Sequence, residues 1–350
     1  MVMTQNLSQI IRTIVLSTIL GFGSGVIGTA LTTNALSDYA LSLGALSSPA
    51  RLSEEQPRSL PQSYSEVIRE ITESVLPSVA EFYQVGSFEK SVSSGAVLTS
   101  DGWIMTMFEV LPSASNLSVV IGGKTYPVEK LVSDSATGAV FAKINSSNLP
   151  VFAFGKGFDL TAGDQLFITS SPRTIFSESV VELIWPTGAQ RSDVPGRHIV
   201  TASDRFHQRG APVVNIYGDL VGIIDGANIV PTDTVLTGFN SLLREGKISR
   251  PSLGVIATDL SRTLGLDKTV TKGHTTGAVL IGLTSIKKGS SAALAGLVPG
   301  DIILMVNSTP IDSTHSLDEL ILSHNPGDTI TLQVASTEGE RELVVTLSTF

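Results

Sequence analysis

Short apolar runs separated by turn residues dominate the middle of the chain and limit the folds that it can adopt. From Val79 to about Gly238 these runs recur at a spacing of roughly ten residues, with Gly, Asp and Pro between them. Many short runs of this kind, without a long helix among them, predict a mainly β domain, either a barrel or a sandwich. The predicted strands include Gly95–Thr99, Trp103–Met107, Leu117–Ile121, Val140–Ile144, Gln165–Thr169, Val180–Ile184, His198–Ala202, Pro212–Ile216 and Leu220–Ile224.

The composition argues against several classes of function. The chain has 350 residues, which is long enough for two or three domains with full cores. Its net charge is −9 and its basic residues never form a run longer than two, so we expect no nucleic-acid partner. It contains no cysteine, and its five histidines lack the spacing of zinc-binding motifs, so we expect no metal and no cofactor.

The β region also contains sequence motifs that follow one another in a fixed order. They are Ser94–Thr106 (SGAVLTSDGWIMT), Ser133–Ile144 (SDSATGAVFAKI), Asn148–Pro150 (NLP), Gly163–Asp164 (GD) and Phe206–Ile223 (FHQRGAPVVNIYGDLVGI). The motifs resemble, in the same order, those of HtrA/DegP-type serine proteases, in which the last segment carries the nucleophilic serine. The resemblance covers residues 74–245 and implies a chymotrypsin-like double β-barrel.

The same resemblance locates the three positions of a catalytic triad. A trypsin-like peptidase needs a nucleophile, a base that is hydrogen-bonded to it and an acid that orients the base. In this sequence the histidine position holds Glu109, the aspartate position holds Gly138 and the serine position holds Arg209. Because all three are replaced, the sequence predicts a pseudoprotease with no catalytic residues.

This prediction does not depend on the alignment alone. No histidine precedes His198, so the first barrel has no imidazole base in any register. No Ser, Thr or Cys lies between Asp204 and Pro212, and Ser203 lacks the flanking glycines of an oxyanion hole. At the first glycine of the nucleophile motif stands His207, whose side chain would crowd that hole.

Several interpretations of the replaced positions remain open. The base and nucleophile positions of such a fold face each other, so Glu109 and Arg209 are expected either to form an ion pair or to face solvent independently. A peptidase with an unconventional site would need Glu109 as the base for a displaced serine. It could also use Lys143 or Lys156 in a Ser-Lys arrangement, although the position of Lys143, where the family also has a lysine, favours a surface residue at a strand end.

A second set of motifs lies between residues 249 and 350. Arg250–Val255 reads RPSLGV, and Ser290–Asn307 reads SSAALAGLVPGDIILMVN. Both are similar to the motifs of the PDZ domain that follows the protease domain in HtrA-type proteins. A helix is predicted over Leu317–Ser323, with Ser316 and Glu319 in the relative positions of a capping box.

The PDZ resemblance implies a peptide-binding groove. PDZ domains add a peptide C-terminus to a sheet edge as a strand, while loop amides hold its carboxylate. The peptide-binding residues implied are Ser252, Leu253, Gly254 and Val255 in the loop, with Leu317, Leu320 and Ile321 on the helix. The strand Val255–Thr258 would receive the peptide. The three helix residues either line the pocket for an apolar terminal side chain or belong to an ordinary core.

The N-terminal segment has the pattern of a membrane anchor. Residues 13–37 carry no charge, and about 25 helical residues span about 37 Å, enough to cross a hydrocarbon core of about 30 Å. Arg12 precedes the run and Asp38 follows it, so the positive-inside tendency predicts a cytoplasmic N-terminus. A cleaved signal peptide is the alternative, because Thr33–Ala35 offers small residues.

The sequence therefore predicts five parts in chain order. They are a cytoplasmic N-terminus (1–12), a transmembrane anchor (13–35), a flexible linker (36–64), an inactive trypsin-like protease domain (65–246) and a PDZ domain (247–350). The protease domain is expected to open with a helix from Ser65 to Leu76.

Three functions are compatible with these features. The first is a catalytically inactive, membrane-anchored HtrA-like protein that binds peptide C-termini or unfolded segments outside the cytoplasm, as an adaptor, chaperone or regulator. The second is a serine-type endopeptidase with an unconventional active site. The third is a partner that assembles with a catalytic HtrA paralogue and regulates it. The replaced triad favours the first and third, and the resemblance implies a homotrimer.

Overall fold

The computed structural model describes residues 63–87, 90–171, 174–185, 187–202, 208–226 and 228–350. The predicted N-terminus, anchor and nearly all of the linker lie outside these residues, and so do Ser203 and His207. Within the described part of the chain, no helix combines the length and the apolar character needed to cross a membrane. The anchor over residues 13–35 therefore stays a prediction.

The first domain begins with a closed barrel of six antiparallel strands. Their order around the barrel is β1-β2-β3-β6-β5-β4. The bounds are Val79–Gln84 (β1), Ser93–Val97 (β2), Trp103–Thr106 (β3), Leu117–Ile121 (β4), Lys124–Ser133 (β5) and Val140–Ile144 (β6). Phe82, Ile104 and Ile144 are among the apolar side chains that fill its interior.

A second closed barrel follows, with the strand order β10-β13-β12-β11-β7-β8. Its strands are Gln165–Ser171 (β7), Thr174–Ile184 (β8), His198–Thr201 (β10), Pro212–Val214 (β11), Leu220–Asp225 (β12) and Asn228–Pro231 (β13). Leu166, Ile168 and Val221 lie in its core. The two barrels confirm the predicted mainly β, double-barrel fold.

Two helical segments close the space between the barrels. Helix α1 (Tyr64–Glu70) starts at the side-chain cap of Ser63, continues as a π-helical turn over Ile71–Val75 and ends in a 3₁₀ turn. This confirms the predicted N-terminal helix. Helix α2 (Thr232–Glu245) follows β13, and its Phe239 stacks on Phe141 of the first barrel at 5.1 Å between ring centroids.

Helix α2 contradicts the prediction that the β region lacks a long helix. It has 14 residues and buries Val235, Leu236, Phe239 and Leu242, which recur at the three- and four-residue spacing of a helix face. Its first turn contains two Thr residues and one Val residue, which favour strands. This local propensity obscured the helical spacing of the apolar residues. The helix ends at Gly246, which adopts a left-handed conformation with φ of 72°.

The remainder of the chain forms a PDZ-type module around a sheet with the order β20-β19-β17-β16-β15-β9, with β18 paired to β17. Its strands are Pro251–Ser252 (β14), Ile256–Asp259 (β15), Ala278–Val279 (β16), Ile302–Val306 (β17), Thr309–Pro310 (β18), Thr329–Ser336 (β19), Gly339–Thr346 (β20) and Ser348–Thr349 (β21). Its helices are Lys268–Thr271 (α3), Ser291–Leu294 (α4) and Leu317–Leu322 (α5). The edge strand β9 (Ala189–Arg191) comes from the loop between β8 and β10 of the second barrel.

Candidate functional site

Two places hold the residues that the sequence singled out. We use the name barrel cleft for the first, by which we mean the three predicted triad positions Glu109, Gly138 and Arg209. We call the second the PDZ groove, which lies between strand β15 and helix α5. The loop that connects β8 to β10, residues 187–197, is called the strap because it runs from the second barrel into the PDZ groove.

Arg209 is held in place on both its backbone and its side chain. Its carbonyl oxygen accepts hydrogen bonds from the backbone amide of Ser94 at 3.0 Å and from the hydroxyl of Ser93 at 2.9 Å. Its guanidinium pairs with the carboxylate of Asp225 at the end of β12. The two side chains are 36% and 38% exposed, so this ion pair lies at the surface. Arg209 therefore presents a fixed cation at the predicted serine position.

The pairing of Arg209 with Asp225 contradicts the predicted ion pair with Glu109. The amide of Gly210 donates to the carbonyl of Ile224 at 2.9 Å, which places Arg209 beside Asp225 in the hairpin register. Glu109 is exposed and follows β3 by three residues. Among the ion pairs of the described residues, none joins Glu109 to Arg209, and the predicted pair is wrong because a carboxylate of the same hairpin lies closer.

Gly210 explains why the chain can approach the first barrel so closely at this point. Its φ is 73°, and a Cβ atom at this position would overlap the carbonyl oxygen of Ser94. The hydroxyls of Ser93 and Thr106 would lie only 2.6 Å from that Cβ. These two buried hydroxyls are hydrogen-bonded to each other at 2.7 Å, so Ser93 is part of the packing and not an exposed nucleophile.

Gly138 lies in the turn that precedes β6 and has a φ of 76° with open space where a side chain would point. The nearby carboxylate belongs to Asp134, which has a different role. Asp134 is 1% exposed and accepts hydrogen bonds from Arg250 Nε at 3.2 Å and Nη2 at 2.5 Å. The same Nη2 donates to the carbonyl of Thr234 in α2 at 2.8 Å. Asp134 thus anchors the segment that leads into the PDZ module.

The lysines considered for a Ser-Lys arrangement make other contacts. Lys143 bonds to the carboxylate of Asp101 at 3.0 Å, in the turn before β3. Lys156 pairs with Asp159 at 3.5 Å, and both side chains are largely exposed. Neither arrangement resembles a base beside a serine. No group of acidic, His or Cys side chains that could hold a metal ion occurs among the described residues.

The PDZ groove is occupied by the chain itself. Strand β9 of the strap pairs antiparallel with β15, so that Arg191 lies opposite Ile256 and Ala189 lies opposite Thr258. Beyond the strand, the amide of Ser192 donates to the carbonyl of Val255 at 3.0 Å, and the Ser192 hydroxyl accepts from the Val255 amide at 3.2 Å. The strand that the sequence assigned to an incoming peptide therefore already has a partner.

The loop that would hold a terminal carboxylate holds the side chain of Asp193 instead. One carboxylate oxygen accepts from the amides of Leu253 at 3.0 Å and Gly254 at 3.1 Å. The same oxygen accepts from the hydroxyl of Ser192 at 2.8 Å, and the other accepts from the hydroxyl of Ser252 at 3.0 Å. Asp193 is only 2% exposed. Successive backbone amides in such a loop form an anion-binding concavity.

Gly254 gives this loop its shape. Its φ is 79°, and a Cβ atom there would overlap the Cβ of Ser290 at the start of α4. Its carbonyl accepts from the amide of Lys287 at 2.9 Å, which fixes the loop from behind. A glycine is therefore required for the amides of residues 253 and 254 to point at one carboxylate oxygen.

The three apolar residues predicted on the helix differ in their surroundings. Leu317 and Ile321 are buried in the core of the PDZ-type module, and Leu320 is half-buried against it. Leu317 also lines a small cavity of about 50 Å³ between the strap and α5. Ala257 of β15 lines the same cavity, whereas Leu320 and Ile321 do not. Of these three helix residues, Leu317 is therefore the one that lines the cavity beside the strap.

The far end of the strap is held on α5 by acidic and aromatic groups. The amide of Gly196 donates to the carboxylate of Asp318 at 2.9 Å. The carboxylate of Glu319 accepts from the Trp185 indole at 3.1 Å and lies 3.7 Å from the Arg197 guanidinium. Arg197 also lies 4.6 Å from the centre of the Trp185 ring.

These contacts make the predicted capping box wrong. Ser316 provides no side-chain cap for α5, and the carboxylate of Glu319 bonds to Trp185 instead of to the start of its own helix. Burial raises the pKa of both Asp318 and Glu319 above their usual values, although Arg197 and Arg262 partly offset the effect at Glu319.

Sequence reasoning missed the strap and Asp193 entirely. Strand β9 has only three residues, two of them polar, and its partner lies more than sixty positions away in sequence. The one local signal was a Ser-Asp pair within a long connection between two strands, and that pattern is typical of ordinary turns.

Comparisons with known proteins agree with this architecture. A family model described as a trypsin-like peptidase domain matches residues 93–223, and one described as a PDZ domain matches residues 282–335. A probable periplasmic serine endoprotease, DegP-like, from Halomonas elongata is 27% identical over 277 residues, which cover 74% of this chain and 56% of the relative. A serine protease Do-like HtrA from Lactococcus lactis subsp. cremoris is 29% identical, over 66% of this chain and 63% of the relative.

The chain thus spans about 56–63% of the length of these two relatives. Among solved structures, the HtrA-type protease AlgW with a tripeptide matches with a TM-score of 0.63 and 22% identity, over 82% of this chain and 97% of that one. The serine endoprotease from Yersinia pestis matches with a TM-score of 0.52 and 22% identity, over 83% and 100%. The chain is therefore similar to HtrA/DegP-type proteins in both a trypsin-like peptidase domain and a PDZ domain.

Proposed function

We propose that this chain is a catalytically inactive HtrA-like protein that recognises extended peptides through its PDZ domain, outside the cytoplasm. Its role would be that of an adaptor, chaperone or regulator of proteolysis. The observation that carries the proposal is the state of Arg209, whose guanidinium pairs with Asp225 at the position where a nucleophile would stand. The barrels around it keep their packed cores, so the scaffold is retained without its chemistry.

The chemistry of the three replaced side chains supports this inactivity. A guanidinium stays protonated at all physiological pH values, so Arg209 supplies no nucleophilic atom. Glu109 is exposed, and a solvated carboxylate is a weak base for activating a hydroxyl group. Gly138 has no side chain to orient a base. Peptide-bond cleavage requires these roles to be filled together.

The PDZ groove supports peptide recognition. Its edge strand accepts an added strand, and its loop amides bind a carboxylate, as the contacts of the strap demonstrate. Both are the interactions by which PDZ domains recognise peptide C-termini. The resemblance further suggests a homotrimer and an assembly with a catalytic HtrA paralogue, and the predicted anchor would place these domains on the outer side of a membrane.

A turnover assay tests the inactivity. The full chain and its Arg209→Ala variant are incubated with fluorescent casein, and a catalytic HtrA protease serves as the positive control. We expect both forms to release fluorescence at the rate of the buffer blank, because neither contains a nucleophile in the barrel cleft.

The alternative, a peptidase with an unconventional site, is favoured by the names of the relatives, which are called serine proteases. Turnover by the wild-type chain that disappears in a Glu109→Ala variant would establish this alternative. Turnover that persists in that variant, in Arg209→Ala and in Lys143→Ala and Lys156→Ala variants would instead point to a contaminating protease.

A further inference from the structure

We infer that Ala189–Asp193 of the strap is an internal ligand of the PDZ groove, in which the Asp193 side chain takes the place of a peptide's terminal carboxylate. The inference rests on the proposed recognition of peptides by this groove. Its consequence is that an external peptide binds only by displacing the strap, and that the strap itself shows which ligands the groove accepts.

The backbone of the strap uses the same edge that a peptide would use. Antiparallel pairing of β9 with β15 and the two bonds between Ser192 and Val255 consume the hydrogen-bonding groups on that edge. A second strand cannot add to an edge whose amides and carbonyls are already paired. Strap and external peptide are therefore mutually exclusive on β15.

The side chain of Asp193 binds where the terminal carboxylate of a peptide would bind. Its carboxylate receives four hydrogen bonds, from the amides of Leu253 and Gly254 and from the hydroxyls of Ser192 and Ser252. Hydrogen bonds to an ionised acceptor are stronger than bonds between neutral groups. A carboxylate that is 2% exposed would be costly to bury without these donors. The loop therefore selects a carboxylate, whether it comes from a side chain or from a chain end.

The strap also competes at a high local concentration. Its two ends are fixed in β8 and β10 of the second barrel, so its return to the groove is intramolecular. Short tethers give effective concentrations on the order of 1 mM, and the apparent affinity of an external ligand falls by the fraction of grooves that are free. A strap that is bound in about nine-tenths of the molecules or more therefore weakens external binding by at least about tenfold.

The contacts of the strap define the class of ligand. Arg191, two residues before Asp193, lies with its guanidinium 5.0 Å from the centre of the Phe350 ring. The small cavity beside Leu317 is lined partly by Ala257 and Ala278 and has room for an apolar group. The groove is therefore suited to an extended peptide with a free terminal carboxylate, an apolar last residue and a basic residue two positions earlier.

The test uses the full chain and a fluorescein-labelled probe of sequence Thr-Gly-Ala-Gln-Arg-Ser-Leu with a free carboxylate. This probe copies Thr187–Ser192 and adds a terminal leucine; its amidated form controls for the carboxylate. Two variants release the strap. Asp193→Ala removes the carboxylate, and Ser192→Pro removes the amide that bonds to Val255. Asp159→Asn removes an exposed carboxylate outside the groove and serves as the matched control.

Two readouts are compared, namely amide hydrogen exchange of residues 187–193 and 253–258, and fluorescence anisotropy of the probe. We expect exchange in both segments to accelerate at least about tenfold in Asp193→Ala and Ser192→Pro, and the probe to bind at least about tenfold more tightly. The wild-type chain and Asp159→Asn should behave alike, and the amidated probe should bind weakly to every form.

The outcomes separate the two claims. Unchanged exchange in both variants, or equal binding of the probe to the wild type and Asp193→Ala, overturns the internal ligand. Faster exchange in both variants with no binding of the probe to any form supports the strap as an occupant of the groove but overturns the proposed peptide recognition. If one variant does not fold, the other still gives both readouts.

Discussion

The barrel cleft and the PDZ groove both differ from the sites that the family resemblance implies, but in opposite ways. In the cleft the barrels keep their packed cores, and Arg209, at the predicted position of the nucleophile, pairs with Asp225. In the groove the binding groups are intact and already satisfied by Asp193. A substituted side chain cannot be restored by a change of conformation, whereas a groove that is filled by its own chain can be emptied.

The two sites also differ in the solvation of their charges. The side chains of Arg209 and Asp225 are more than one third exposed, and an ion pair of this kind contributes little to stability. Asp193 is 2% exposed and relies on its hydrogen bonds. Losing a hydrogen-bond partner destabilises a buried charge more than an exposed one. Mutations should therefore lower stability only slightly in the cleft and much more at the groove and at the buried pair of Asp134 and Arg250.

The largest loss of stability is expected from a mutation of Arg250, which links the two regions. It pairs with buried Asp134 near the cleft and lies two residues before Ser252 of the groove. Arg250→Ala would leave a buried carboxylate without its partner and should destabilise the fold by about 3–5 kcal/mol, as measured by urea denaturation. Arg244→Ala removes an exposed arginine of α2 and should change stability by no more than about 0.5 kcal/mol.

Equal stabilities of the Arg250→Ala and Arg244→Ala variants would contradict a structural role for the buried pair. A loss of strap protection in Arg250→Ala without a loss of global stability would instead show that the pair organises only the groove. Hydrogen exchange of residues 253–258 distinguishes these results.

An intermediate effect is expected from pH, and it concerns only the groove. Burial raises the pKa of Asp318 and Glu319 while they contact the strap, and Arg197 and Arg262 are the charged groups that face them. A carboxyl with a raised pKa favours the strapped state most at acid pH, and this contribution is lost as the pH rises through the raised pKa. Lowering the pH from 7 toward 4.5 should therefore strengthen strap binding.

The measurement is the amide hydrogen exchange of the strap, compared at each pH between the wild type and the double variant Asp318→Asn/Glu319→Gln. This comparison cancels the intrinsic pH dependence of exchange. We expect the protection of the wild type, relative to the variant, to increase several-fold on acidification. A decrease on acidification would mean that the two carboxylates hold the strap chiefly through their charge.

The smallest effect is expected in the cleft. Arg209→Ala removes a half-exposed ion pair and should lower stability by about 0–1 kcal/mol, measured by thermal unfolding. Lys156→Ala removes another exposed pair and provides a matched control. A loss of more than about 2 kcal/mol in Arg209→Ala would show that the cleft depends on this residue, and the contrast between the two regions would fail.

Much of the fold could be predicted because its signals are local. The alternating runs Leu117–Ile121 and Val140–Ile144 are strands with the predicted bounds. The turn residues and the ordered motifs predicted the two barrels. Helix α2 was missed because β-branched residues open it, and only its burial against both barrels reveals the apolar face.

The candidate sites were less predictable because they depend on distant contacts. The position of Arg209 follows from the hairpin motif, but its partner depends on the register of β11 with β12, which favours Asp225 over Glu109. The groove loop was recognisable from its motif. Its occupant was not, because Ala189–Asp193 has no strand signal of its own and becomes a strand only against β15.

The strap begins and ends in the second barrel, and this connection has a thermodynamic consequence. A ligand that empties the groove must change the conformation of a barrel loop, so the free energies of the two events are linked. Linkage is reciprocal: any partner that binds the barrel and holds the strap away raises the affinity of the groove by the same factor by which a groove ligand favours that partner. The second barrel can in this way regulate what the PDZ domain binds.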